Sequence, residues 1–252
     1  MPYDTPYSDP GLYDVIYSGI RDDIPFWVEL ARAARGPSLE IGCGTGRVMI
    51  PVLEAGAEVD GLDLDAGMLS HLEHKVRALG RKVRLLRSDM RDFTMPRRYA
   101  LVMAPFRVFM HLVSTDDQLR TLRCVREHLE PGGAFVFNLF YPNLASIVAH
   151  DGERRLSIET TDPETGRAVE VYDVSRYDRV AQIVRVEREV VRVTDSGREA
   201  IRAEFHLRWT YRYEIELLLA AAGFPRWDLW GGFDRRPLEK DTDEMVIQAW
   251  KD

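Results

Sequence analysis

No apolar run in this 252-residue chain approaches the roughly 18–20 residues needed for a helix to cross a bilayer, which excludes an ordinary membrane-spanning helix. Cysteine is scarce. Cys43 and Cys124 are too few for a disulfide framework, and no His/Cys cluster has metal-ligand spacing, so no metal is expected. Positive charge is in deficit, with 34 Lys and Arg against 41 Asp and Glu, net −7. That balance argues against a broad nucleic-acid-binding surface, because affinity for phosphates rests on lysine and arginine. The N-terminal Met1-Pro2-Tyr3-Asp4 has neither the basic region nor the hydrophobic core of a secretory signal, and the expected compartment is the cytoplasm. Internal repeats and low-complexity tracts are absent as well. What is present is 45% apolar and 30% charged residues, the composition of a globular chain long enough to bury a full core.

The most informative stretch is Glu40-Ile41-Gly42-Cys43-Gly44-Thr45-Gly46, set between a short apolar run and an amphipathic one. A strand ending in an acidic residue, then a glycine-rich turn, then a helix, lets backbone approach a nucleoside in a doubly wound sheet. The dinucleotide fingerprint G-x-G-x-x-G would require glycine at position 47, where this chain has Arg47, so a nicotinamide-dependent oxidoreductase is disfavoured.

Around that loop the chain alternates. Asp23-Ile24-Pro25 reads as a helix start with Asp23 as cap, and Ile24, Trp27, Val28, Ala31 and Ala34 give that helix a buried face. Strands are expected over 38–42, 58–64, 82–87, 99–105 and 134–139, the last entered through the turn Pro131-Gly132-Gly133. Helices are expected over 45–55, 66–79 and 115–129, with Asp65 capping the second. The rhythm predicts an α/β fold: a doubly wound, mostly parallel, seven-stranded sheet covered on both faces. It breaks after Tyr141. Segments 156–160, 168–178, 182–194 and 200–209 are β-rich, with turn signals at 162–166 and 195–197, and predict an antiparallel insertion after strand five. A helix over 213–222 and strands over 227–231 and 245–250 close the core. The expected organisation is an N-terminal arm (1–11 loose) and core over 1–150, the insertion over 151–210, and the core's closing elements over 211–252. The insertion is a lid over a substrate or a homodimer surface, and its arginines mostly occupy the solvent face.

Four motifs in order resemble those of the class I S-adenosylmethionine (SAM) methyltransferases, across roughly residues 38–140: the glycine loop, Val59–Asp65 followed by Gly67-Met68-Leu69, Ser88-Asp89-Met90-Arg91, and Leu129–Gly133. The resemblance implies SAM as cofactor. It places the cofactor against Glu40, Gly42, Cys43, Gly44, Thr45, Gly46, Leu64, Met68 and Pro105, with no reactivity assigned to Cys43. It implies that Asp63, 21 residues after Gly42, accepts from the ribose hydroxyls, that Asp89 meets the adenine amino group, and that Met90 packs on the ring. The bland reading of Asp63 and Asp89 is as caps at strand ends. His71 and His74 fall on a polar helix face and read as solvated.

The acceptor side rests on less. Tyr13 and Tyr17 share one face if 12–17 is helical, and similar segments in small-molecule methyltransferases fold over the cofactor, where a tyrosine hydroxyl reaches the methionine carboxylate; the alternative is a pair of aromatics anchoring the arm. After strand four, Phe106, Arg107 and His111 are candidate acceptor contacts. Arg107 is a candidate for an anionic acceptor, and His111 either orients or deprotonates the acceptor or is structural. Catalytic candidates are therefore His111 and Tyr17. The expected activity is transfer of a methyl group to nitrogen of a small molecule. O-methylation, or SAM binding without turnover, stand as alternatives.

Overall fold

The computed structural model describes residues 8–195 and 197–252. Seven strands form the main sheet: β1 (Ser38–Ile41), β2 (Val59–Asp63), β3 (Leu85–Arg87), β4 (Tyr99–Ala104), β5 (Leu129–Phe140), β10 (Arg226–Trp230) and β11 (Glu244–Trp250). Their order is β10-β11-β5-β4-β1-β2-β3, parallel except for β11, which runs antiparallel between β5 and β10. This is the doubly wound sheet expected from the alternating pattern.

Strand residues point alternately to two cores. Leu39, Ile41, Val102, Phe135, Phe137, Ile247 and Ala249 face α5 (Thr115–His128) and α7 (Arg212–Ala221). Leu101, Met103, Val136 and Val246 face α2 (Ile24–Ala33), α3 (Met49–Glu54) and α4 (Ala66–Ala78). Burial on both faces explains why these strands read as near-continuous apolar runs.

Between β5 and α7, after a short helix α6 (Leu144–Ala149), the chain makes a four-stranded antiparallel meander: β6 (Arg154–Thr161), β7 (Ala168–Asp178), β8 (Ile183–Thr194) and β9 (Gly197–Arg208). One face of this insertion carries Val184 and Val186 into the main core, with Trp209 just beyond β9. The same face packs Val169, Val171 and Val190 against Ile16 of α1 (Pro10–Tyr17). The opposite face is a ladder of ion pairs, including Arg154–Glu189–Arg202 and Arg185–Glu204.

Several local expectations are corrected. The arm expected to be loose over 1–11 is helical from Pro10, and its residues 1–7 lie outside the described residues, as does Ser196 of one expected turn. The helix after the glycine loop starts at Met49 rather than Thr45, because Gly44 and Gly46 hold left-handed φ of +50° and +89° that a helix cannot contain. Gly132 and Gly133 lie inside β5, where a register shift against β4 absorbs them. Asp23 does not cap α2: its backbone is helical, and its carboxylate accepts instead from Trp27 Nε1 (3.0 Å) and Arg47. Among the described residues no helix is long and apolar enough to cross a membrane.

Candidate active site

The carboxyl ends of β1, β2, β3 and β4 border a cavity of about 530 Å³ at the point where strand order reverses, between β1 and β4. In open α/β sheets, ligands sit in this crevice.

Its floor is the glycine loop. Gly42 and Cys43 both donate to the Leu62 carbonyl (2.8 and 3.1 Å), which ties the loop to the end of β2. Gly42 has φ +66°, and a Cβ there would lie 2.7 Å from Val108 Cγ2, so backbone conformation and close approach both demand glycine. The Asp63 carboxylate bridges the two motifs: Gly44 N–H donates to Oδ2 (2.8 Å) and Asp65 N–H to Oδ1 (2.9 Å). Burial nevertheless raises the Asp63 pKa above its ordinary value. Asp65 caps α4 by accepting from Met68 N–H (2.9 Å), bringing Met68 to the cavity wall. The Cys43 thiol is buried and pushed well up by desolvation, which keeps it protonated.

Glu40 is fully buried at the base, and desolvation pushes its pKa up to about 8. Among the described residues its Oε2 has no hydrogen-bond partner, a costly state for a buried acceptor. Beside it Arg47 forms a bidentate pair with Asp23 (2.7 and 2.6 Å) and lies 4.4 Å over the Phe106 ring. At the far end Asp89 is held by Arg91 (Nε 3.0 Å, Nη2 2.7 Å), which lowers its pKa, and Arg91 also reaches Asp117 (3.2 Å).

Helix α1 lies against this crevice. Asp14 accepts from Thr45 Oγ1 (2.6 Å) and Lys75 Nζ (2.5 Å) and pairs with His71 Nε2 (2.8 Å). His71, expected to be solvated, thus helps fasten α1 to the glycine loop and α4, whereas His74 is exposed and bonds the carbonyl of Ser70. Tyr13 lines the cavity.

The end of the cavity nearest β9 is formed by Phe106, Leu112, Val113 and His111, with Glu204 and Phe205. His111 is in the short 3-10 helix Val108–His111, and its ring centroid lies 6.2 Å from that of Phe205. Burial alone pushes its pKa down to about 4, so the imidazole is neutral at pH 7.

Of the residues singled out in the sequence, Tyr13, Glu40, Gly42, Cys43, Gly44, Thr45, Asp63, Leu64, Met68, Asp89, Met90, Pro105, Phe106 and His111 line this one cavity. Three do not. The Arg107 guanidinium makes a bidentate pair with Glu244 (2.9 and 2.5 Å) and lies over Phe140, because a left-handed φ of +65° turns it toward β5 and β11. The Tyr17 hydroxyl is engaged by Arg188 of β8, which is itself bidentate to Asp173 (both 2.8 Å); the Tyr17 ring instead meets Phe106 edge-on, centroids 5.1 Å apart. One helical turn, about 5.4 Å of rise, separates it from Tyr13 at the wall. Gly46 faces the interior, where a Cβ would collide with Leu72.

Arg47, Arg91, Asp117, Glu204 and Phe205 line the cavity and were not singled out as site residues. Arg47 directly follows the glycine loop, so position alone was a usable signal. Glu204 and Phe205 are reached only through the fold.

A family model described as a methyltransferase domain matches residues 39–133, which contain the glycine loop, Asp63 and Asp89. Over 95% of this chain and 98% of the relative, the sequence is 26% identical to the cypemycin N-terminal methyltransferase of a Streptomyces species. It is 28% identical to the dTDP-3-amino-3,4,6-trideoxy-alpha-D-glucopyranose N,N-dimethyltransferase of Streptomyces venezuelae, over 53% of this chain and 57% of that protein. Among solved structures, the CcbJ methyltransferase of Streptomyces caelestis superposes with a TM-score of 0.71 at 26% identity, covering 91% of this chain and 95% of that one.

Proposed function

We propose that the chain is a class I SAM-dependent methyltransferase that methylates the nitrogen of a small amine acceptor held between Phe106, His111 and Phe205. The state of His111 carries the choice of nitrogen over oxygen. A hydroxyl acceptor needs a general base to become nucleophilic. An imidazole whose pKa is pushed down to about 4 is too weak for that task, while a neutral amine already presents a lone pair. The relatives named for amino-sugar and N-terminal methylation agree with this reading.

The residues present fit the cofactor. The buried, partnerless Oε2 of Glu40 is an acceptor waiting for a cation, which the ammonium of the methionine moiety provides. Asp63, fixed by two backbone N–H groups, has lone pairs left for the ribose hydroxyls. Among the described residues Asp89 Oδ2 accepts only from Arg91 Nη2, which leaves a lone pair for the adenine amino group. Bound SAM supplies a sulfonium-linked methyl, an electrophile that needs no activation by the protein.

The chain's own work is then positioning and exclusion of water. Phe106, Phe205, Leu112 and Val113 desolvate the amine, with the neutral His111 ring beside it. Tyr17, with its hydroxyl taken by Arg188, acts by bracing Phe106 rather than as a catalytic residue. The insertion over 151–210 serves as acceptor cover. A screen with isotopically labelled methyl donor against paired amines and alcohols of equal skeleton tests this: label on nitrogen is expected, and label on oxygen with the amines inert contradicts it.

A further inference from the structure

We propose that the groove along the free edge of β3 is a docking surface for an acidic, extended segment of another polypeptide, separate from the cavity at the carboxyl ends of the strands.

The sequence carries the first observation. Residues 75–87 hold six cations (Lys75, Arg77, Arg81, Lys82, Arg84 and Arg87) and no carboxylate, in a chain whose net charge is −7. The fold lays this run along the end of α4, the turn after it and β3, the last strand of the main sheet. Beside it lies a groove of about 1360 Å³. The five cations from Arg77 to Arg87 line it together with Arg97, against three carboxylates, Glu58, Asp60 and Glu73. Each carboxylate is already paired: Glu73 with Arg77, Glu58 with Arg97, and Asp60 with Arg84 and Arg97. Among the described residues Arg81 and Lys82 have no carboxylate partner, and the Arg87 guanidinium donates to the Leu64 carbonyl (3.2 Å) instead of to an acid. All three are exposed. Uncompensated positive charge gathered in a groove attracts an anionic partner.

The backbone identifies the kind of anion. β3 pairs on one side only, with β2, through the register Gly61↔Leu85 to Asp63↔Arg87. Gly61 N–H donates to the Arg84 carbonyl and Ser88 N–H to the Asp63 carbonyl (2.9 and 3.0 Å), which turns the polar groups of 84 and 88 toward β2. By alternation Leu85 and Arg87 turn theirs outward, to the edge where an extended peptide adds as a strand. Side-chain alternation places Arg84 and Arg87 on opposite faces of β3, so positive charge flanks that edge on both sides. Val76, Val83 and Leu85 supply apolar surface between the cations. Among the described residues no aromatic side chain lines the groove, whereas surfaces for single-stranded nucleic acid stack bases on aromatics. A polypeptide therefore fits better than a nucleic acid. Short, charged edge strands also keep sheets from pairing with one another, and that role alone predicts no ligand.

The test is fluorescence anisotropy on the full chain with three labelled probes: a peptide of about ten residues alternating glutamate and valine, its lysine–valine counterpart, and an oligouridylate of equal charge. Expected is binding of the acidic peptide at least about tenfold tighter than of either other probe, weakening at least about tenfold as salt rises from about 0.05 to about 0.5 M. In the double variant Arg81→Glu, Lys82→Glu that affinity should fall at least about tenfold, while SAM affinity read by calorimetry stays within about twofold. Retained SAM affinity also reports a folded chain, and Arg81→Gln, Lys82→Gln takes the variant's place if it is lost. Absence of acidic-peptide binding, equal binding of the lysine–valine peptide, or unchanged affinity in the variant overturns the proposal. Tighter binding of the oligouridylate overturns it in favour of nucleic acid. No peptide binding together with self-association of the charge-reversed chain overturns it in favour of edge protection.

Discussion

Around the glycine loop, the cavity wall comes from two short stretches, residues 40–47 and 62–68, joined by backbone hydrogen bonds to Leu62 and Asp63. Around His111, the wall comes from residues 105–113 and from 204–205, almost a hundred positions later, and it is braced by ion pairs such as Arg188–Asp173 and Arg185–Glu204. The first wall is written in backbone geometry, which few substitutions leave intact. The second is written in side chains on an appended sheet, which substitutions alter without disturbing the loop. The contrast implies that cofactor affinity and acceptor choice respond to separate sets of residues.

The sharpest way to break that separation is at Asp63. Replacing it with Ala removes the acceptor of two backbone N–H groups, each charge-assisted bond being worth about 1.5–3 kcal/mol, together with the proposed ribose anchor. SAM affinity measured by calorimetry should fall by more than about 100-fold. Unchanged affinity would remove the cofactor wall from the account.

His111 tests the other wall through its titration. In the unfolded chain this imidazole takes up a proton below its ordinary pKa of 6.5, whereas burial delays protonation in the folded state to about 4. The unfolded state thus holds more protons across that window, and stability is lost as pH falls through it, by up to about 3 kcal/mol. Denaturant titrations at several pH values should show this slope in the wild type and a flatter one in His111→Phe, with SAM affinity at pH 7 within twofold. A SAM affinity that collapses in this variant would tie the two walls together.

Glu40 offers a smaller and more specific effect. With a pKa of about 8 it is mostly protonated at pH 7, and an arriving ammonium favours the carboxylate. SAM binding at pH 7 should therefore release up to one proton, less as pH rises past about 8. Calorimetry in two buffers of different ionisation enthalpy reads the release, and Glu40→Gln should abolish it while weakening binding by about tenfold. Least affected should be Arg107→Ala. Its guanidinium is about half exposed and turned onto Glu244, so kcat and KM for the true acceptor should stay within about twofold; a large rise in KM would return Arg107 to the acceptor wall.

The same contrast governs what could be read from the sequence. The glycine loop, Asp63 and Asp89 were legible because a strand end, a turn and a helix cap are local and leave fixed spacings. β7 was bounded correctly at Ala168–Asp178, since its alternation faces one apolar core and one charged surface. The start of α3 was misplaced because positive φ at Gly44 and Gly46 is a property of the folded turn. Tyr17, Arg107 and Asp23 were given roles by spacing or by type, and each was claimed by a partner far away in the chain: Arg188, Glu244 and Arg47. Glu204 and Phe205 reach the cavity only because β9 crosses its mouth, and no local pattern announces that.

The most direct test is a crystal structure of the chain with S-adenosylhomocysteine. The account predicts the ribose hydroxyls on the Asp63 carboxylate, the amino group on Glu40, and the sulfur turned toward Phe106 and His111. A nucleoside lodged elsewhere, or one in the crevice with its sulfur turned away from His111, would contradict it.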